Sequence, residues 1–434
     1  MTSTDETSST MMTRPAPPWT VEGQQDLGPW YEEALRGPRV VYIEALNSWA
    51  VFHYDDVEAI LRDDVNWSTG RRLMGLPPEL QEYSLVSHTV VGSDPPQHTR
   101  LRRLITPGFR NSFIKILKQR AEEISTELLD GALERGSFDF TDRYAVQLPE
   151  RMIAEILGVP VELRDDFNDL MRRIEGLGSG HQGYGEDEDE GGGFVGHVPP
   201  AERQAELIAE ARVVYEDWDR YIEPVFDQKR QQPEDDMLTA LVQAEEGGER
   251  LSKRELNKMS LLVHFAGSTT TQTLLGNIVI ELARHPEQWA RLRADPSLVP
   301  NAIEETLRYR APLHAISRIA NNDVVVHGIT IPKDRMILTF LQAANRDPAV
   351  FDDPSAFDVS RANANRHTSF ATGIHFCAGA HLARMEAEVF LTDWVNRVGN
   401  WTLDDDKLNF PGNSVSVISV NSLNVTVSSG SGVR

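Results

Sequence analysis

The sequence predicts a mainly α fold with smaller β regions, on three observations. Short strand-like runs come before a long helical middle, an order that sets a small sheet to one side of a helical body. One uninterrupted helical stretch, Ser252 to Arg284, has clear start and stop signals. The composition, 40% hydrophobic and 25% charged over 434 residues, is that of a soluble globular chain with enough length for a large core. No apolar run reaches the roughly 18 residues that span a bilayer. The start, MTSTDETSSTMMTRPAPP, is polar and unlike a signal peptide, so residues 1–20 are expected to form a disordered tail on a cytoplasmic protein. A net charge of −23 argues against nucleic acid as a general partner.

From Pro29 to Asp64 the pattern reads helix, strands at Arg39–Ile43 and Trp49–His53, then a helix opened by Tyr54-Asp55-Asp56-Val57. Leu73 to Val91 holds Pro77-Pro78 and no sustained period, which predicts a long loop. Its Leu73, Met74, Leu76, Leu80 and Leu85 either line a pocket or plug the surface. Asp94-Pro-Pro-Gln-His98-Thr-Arg-Leu-Arg102 starts a helix, with Asp94 as cap and the prolines in the first turn. His98 and Arg102 then share a face, as a solvated pair would too.

Helical periodicity dominates Gln119–Gly158 and resumes over Ala201–Lys229. Between them, GYGEDEDEGGG cannot bury enough surface to fold alone, so residues 178–198 are expected to be a flexible acidic, Gly-rich loop. Ser252-Lys-Arg-Glu255 is a capping box, and the helix it opens runs to His285-Pro286, about 48 Å at the usual rise. Its centre, Phe265-Ala-Gly-Ser-Thr-Thr-Thr271, is poor in helix formers, so a local need outweighs propensity; a kink without chemistry is the plain alternative. Glu305 and Arg308 sit at i, i+3, which at a surface is worth only tenths of a kcal/mol. An extended piece, Pro312–Arg318, leads into strands Val324–His327 and Met336–Phe340, separated by the turn Ile331-Pro-Lys-Asp.

The single cysteine lies in Phe370-Ala-Thr-Gly-Ile-His-Phe-Cys377-Ala-Gly379. Alone it forms no internal disulfide, and it is an inert buried thiol, a nucleophile, or one thiolate ligand to a metal otherwise held by non-protein groups. Gly373 and Gly379 permit positive φ or the close approach of a flat group. The amphipathic run Ala380–Val395 puts the sulfur at a helix N-terminus, where backbone N–H groups favour a thiolate.

This segment resembles the haem-binding loop of the cytochrome P-450 family, whose bacterial form reads Phe-Gly-x-Gly-x-His-x-Cys-x-Gly. Phe370, Gly373, His375, Cys377 and Gly379 match, and Ala371 stands where the second glycine usually does. Similar matches are DPPQHTRLRR, Glu305-x-x-Arg308, Phe357-Asp-Val-Ser-Arg361, Ala344-Asn-Arg-Asp-Pro348 and Phe351-Asp-Asp-Pro354, so the resemblance runs from about Gly28 to Val427.

The resemblance implies a cytochrome P-450 fold over 21–434, a single domain and a monomer, built around one haem b with Cys377 as iron ligand. Phe370, Gly373, His375 and Gly379 would shape the haem loop, and His98, Arg102 and Arg318 would contact propionates. Ala266 and Gly267 would make room for oxygen, while Thr270 would bond back to the Ala266 carbonyl. Thr269 occupies the usual acid position, so water or another side chain must deliver protons. His264 is either a relay or a satisfied core histidine. Glu305, Arg308 and Arg361 would form a buried brace behind the cysteine loop.

The implied reaction is monooxygenation, most commonly hydroxylation, of a small to medium apolar molecule, with electrons from NAD(P)H through ferredoxin reductase and ferredoxin. A biosynthetic coupling or rearrangement enzyme and a haem sensor are the alternatives. Seven Lys or Arg residues and no acid between Pro95 and Ala121 make Arg103, Arg110 and Lys115 the expected ferredoxin contacts.

Overall fold

The computed structural model describes residues 15–73, 77–109, 111–181, 201–246, 248–404, 408–412 and 414–429. The helix Lys253–Arg284 organises the body, and its capping box forms as expected: Glu255 N donates to Ser252 Oγ at 3.3 Å and Ser252 N to Glu255 Oε2 at 2.8 Å. Leu256, Leu261, Leu274, Ile278 and Leu282 are all buried, and the apolar positions run round the helix rather than along one stripe. Helices Gln147–Leu157, Arg164–His181, Val299–Tyr309 and Ala380–Arg397 pack against it.

A five-stranded sheet stands beside this body in the order Val40–Ile43, Ser48–Val51, Met336–Phe340, Ala315–Ala320, Trp67–Ser68. Only the pairing of Met336–Phe340 with Ser48–Val51 is parallel. A second sheet joins Val398–Leu403, Asn424–Ser429 and Ser137–Asp139. The mainly α class with smaller β regions therefore holds, and no helix among the described residues is long and apolar enough to cross a membrane.

Four expectations change. Residues 15–20 of the tail expected over 1–20 are packed, since Trp19 stands edge-on to Trp30 at 5.4 Å and Thr20 caps helix Val21–Gln25; residues 1–14 lie outside the described residues. The loop expected over Leu73–Val91 contains a helix, Pro78–Tyr83, whose Leu80 is buried. Leu73, Met74 and Leu76 have no described side chains. Asp94 does not cap the helix Gln97–Ile105; its carboxylate accepts from Thr69 N at 2.8 Å and from Ser68 Oγ, tying that helix to the strand Trp67–Ser68 instead. The helix Arg164–His181 runs past Gly178, and the remainder of the acidic segment, 182–198, lies outside the described residues.

Candidate active site

The cysteine loop is closed by its own backbone: Cys377 N donates to Phe370 O at 3.0 Å. Gly373 sits at φ +70°, and a Cβ there would fall 2.8 Å from Leu61 O, so helix Tyr54–Arg62 presses directly on the loop. Ala371 is held at φ +57°, which costs an L-residue about 1–2 kcal/mol and explains why glycine suits this position. Gly379 has an ordinary φ of −86°, and a Cβ on it would meet nothing within 4 Å. Its bareness serves no protein contact and leaves room for a flat group beside Cys377.

Cys377 is exposed. Burial of its surroundings nevertheless pushes the thiol pKa up, against the lowering effect of the Gly379 and Ala380 N–H groups, Arg102 and Arg384. Desolvation thus outweighs the helix N-terminus that the sequence pointed to.

The brace exists as expected. Glu305 and Arg308 are each 0% exposed and make a bidentate pair with two bonds of 2.7 Å; Arg361 Nε adds bonds of 3.1 Å to both Glu305 oxygens. Arg308 Nη1 also donates to Asn345 O at 3.1 Å. Asn345 carries the load onward: its Oδ1 accepts from Thr368 N at 2.7 Å and its Nδ2 donates to Ser369 Oγ at 2.8 Å, next to Phe370.

A second layer escaped the sequence reading. Glu304 binds Arg384 Nε and Nη2 at 2.6 and 2.9 Å, lies 3.2 Å from His367 Nε2, and Arg384 stacks over Phe370 at 4.5 Å. Burial raises the Glu304 pKa, but Arg384 and His367 outweigh it and bring the carboxyl to about 2. The adjacent acids Glu304-Glu305 were visible; that both were engaged was not.

His98 is buried with neither ring nitrogen hydrogen-bonded, its ring 4.4 Å from that of His375. Burial, then Arg102, lowers its pKa. Arg102 Nη2 donates to Phe376 O at 2.9 Å, beside Cys377. Arg318 is buried on the strand Ala315–Ala320, whose neighbour Trp67–Ser68 is tied through Asp94 to the His98 helix. Two orphaned imidazole nitrogens beside Arg102 suit the carboxylates of a bound group.

On the long helix, Thr270 Oγ1 donates to Ala266 O at 2.7 Å, as expected, and Ala266 is exposed although most of the helix is buried. A Cβ on Gly267 would lie 2.4 Å from Ile153 Cδ1, so the bare glycine lets the helix Gln147–Leu157 pack closely here. Thr269 is half-buried and its carbonyl accepts from Thr273 Oγ1 at 2.8 Å. His264 is buried edge-on to Phe167 at 5.1 Å, and burial alone lowers its pKa to about 4, so it is a neutral core histidine.

The basic run is less one-sided than its sequence. Arg100 pairs with Glu255 at 2.9 Å, Lys118 with Glu388 at 3.0 Å and Arg120 with Glu155 at 2.8 Å, acids supplied by other segments. Arg103 is exposed, as is Phe376 beside the cysteine. Arg110 and the side chain of Lys115 lie outside the described residues.

A family model for cytochrome P450 matches residues 40–418. The chain is 34% identical over 357 residues to the 6-deoxyerythronolide B hydroxylase of Saccharopolyspora erythraea, covering 80% of this chain and 81% of that one. It is 33% identical over 371 residues to a putative cytochrome P450, YjiB, of Bacillus subtilis, covering 85% and 86%. Among solved structures, CYP109Q5 of Chondromyces apiculatus superposes with a TM-score of 0.81 at 29% identity, covering 95% and 98%. CYP109E1 of Bacillus megaterium, in complex with testosterone, gives 0.77 at 28%, covering 92% and 98%. The chain belongs to the cytochrome P450 family. It is a haem-dependent monooxygenase, and the accessible Cys377, bare Gly379 and orphaned His98 fit the haem that membership implies.

Proposed function

We propose that this monooxygenase oxidises a small to medium apolar molecule, most simply by hydroxylation, with electrons from NAD(P)H through ferredoxin reductase and ferredoxin. The carrying observation is the uncharged turn Ala266–Thr270, whose Ala266 is exposed on a mostly buried helix, in a chain that also presents an accessible Cys377. The testosterone-bound CYP109E1 and the hydroxylase relatives support an apolar substrate. When bound, haem b supplies oxygen activation, with thiolate donation favouring O–O cleavage. Cys377 Sγ would hold the iron, while His98, Arg102 and Arg318 would hold the propionates. Thr270 holds a proton on the Ala266 carbonyl and can turn it toward the reacting side. With Thr269 in place of an acid and His264 neutral, water brings the protons.

The test is spectral. Reduced protein under carbon monoxide should absorb near about 450 nm, and Cys377→His should move that band to the imidazole position. An unmoved band would remove Cys377 as ligand. Substrate-dependent NADH consumption yielding oxygenated product separates a monooxygenase from a coupling enzyme or sensor. Reversing the charges of Arg103, Arg110 and Lys115 should slow reduction by ferredoxin and flatten its salt dependence.

A further inference from the structure

Three elements meet at the C-terminal end of the helix Pro78–Tyr83: that helix, the helix Ala201–Gln231 and the first turns of Lys253–Arg284. Lys258 lies at their junction, only 5% exposed. Its Nζ donates to Ser84 O at 3.3 Å and stands 3.9 Å from the centroid of the Tyr215 ring. Tyr215 Oη in turn donates to Tyr83 O at 2.6 Å, with the two rings 5.3 Å apart. Arg254 pairs with Glu82, and Glu82 lies 3.4 Å from His88 Nε2. The Ser84–Lys258, Tyr83–Tyr215 and Glu82–Arg254 contacts fasten residues 82–84 to the two helices.

The Lys258 ammonium is poorly compensated. Among the described residues no carboxylate lies within ion-pair distance of it; the nearby Asp219 is engaged by Asn257 Nδ2 at 2.5 Å. A buried cation with one carbonyl acceptor and one ring gains by returning to water. Lys258 also precedes the exposed Ala266 by eight residues on one helix, about 12 Å along its axis.

We propose that Lys258, Tyr215 and the Tyr83–Ser84 end of the short helix form a clasp that closes residues 77–91 over the distal side, and that hydration of the Lys258 ammonium drives its opening. The groups facing Lys258 are Lys253, Arg254 and Glu255 on its own helix, Tyr215, Asp219 and Glu223 on Ala201–Gln231, and Glu82, Tyr83 and His88 on the short segment. Burial, then Arg254, lowers the closed-state lysine to about 7. The open state therefore binds more protons between about pH 7 and the ordinary lysine value near 10, and opening becomes easier as pH falls through that window, levelling off below it. His88 is lowered from its usual value by burial and by Lys258, so it titrates beneath the window.

The clasp rests on the haem reading only through what it covers, so the test has one arm independent of haem. Hydrogen exchange of residues 77–91 reports opening directly, and the binding rate of 4-phenylimidazole to the haem-loaded protein reports access. In the parent the opening equilibrium, obtained by dividing each exchange rate by the intrinsic amide rate at that pH, and the azole binding rate should both rise as pH falls from about 10 to about 7, by at most about tenfold per unit. Lys258→Met keeps the packing volume and removes the charge; both rates should drop and lose their pH response. Tyr215→Phe removes one hydrogen bond and should raise both about fivefold throughout. Parent-like exchange in both variants would overturn the clasp. Altered exchange with parent-like azole binding would overturn its control of access.

Discussion

Around Cys377 the fold takes Glu305, Arg308 and Arg361 out of water and backs them with Glu304, Arg384 and His367, whereas the turn Ala266–Thr270, where Ala266 is exposed, contains no charged side chain. The first region is held by ion pairs whose partners have nowhere else to go. The second is held by helix packing, with Gly267 against Ile153, and by hydroxyls bonded back to carbonyls four residues earlier. The loop proposed to hold iron is fixed from several directions. The face proposed to receive substrate is uncharged, and its stability comes from the far side of the helix.

The largest test of that contrast is Glu305→Ala, which leaves Arg308 and Arg361 with a buried charge and should cost about 3–5 kcal/mol, seen as poor folding or haem loss. A stable, haem-replete variant would show that backbone carbonyls alone hold the loop. Glu304 comes next. Its folded pKa near 2 lies below the usual 4.5, so its contribution, about 3 kcal/mol, is complete above about pH 4.5 and lost as pH falls through about 2. Glu304→Gln should destabilise the protein at neutral pH and flatten the acid limb of its unfolding curve.

On the distal side, Gly267→Ala should cost about 2 kcal/mol by overpacking Ile153, and Ile153→Val, which deletes the clashing methyl, should restore most of it. Independent, additive effects in that double-mutant cycle would break the packing explanation. Ala371→Gly should stabilise by roughly 0.5–1 kcal/mol, because relief of the left-handed strain exceeds the added chain entropy. Thr270→Ala should move thermal stability least, since back-bonded threonines support a helix weakly. Its effect should instead be kinetic, with substrate affinity kept and more of the NADH oxidised ending as hydrogen peroxide. Full coupling in Thr269→Ala, Thr270→Ala would place the proton route elsewhere.

Local signals were legible wherever they act over a few residues. The capping box at Ser252, the stop at His285-Pro286 and the period of Ala380–Val395 each specify an element through neighbouring backbone and side chains, and each formed within two residues of expectation. The Thr270 back-bond is likewise one helical turn long. Asp94 misled because the same carboxylate suits two sets of N–H groups, and only the approach of Trp67–Ser68 chose between them.

By itself, the order of residues determined the long capped helix, the single cysteine on its glycine-flanked loop and the threonine-rich turn, since these depend on contacts within a turn or two. Tertiary structure alone decided that Gly267 serves Ile153, that Asn345 and Glu304 support a loop distant in sequence, that other acids neutralise Arg100, Lys118 and Arg120, and that desolvation outweighs the helix terminus at Cys377. Each of those depends on which remote segment arrives and how much water it displaces, and burial and long-range pairing are properties of the packed chain that no local pattern carries.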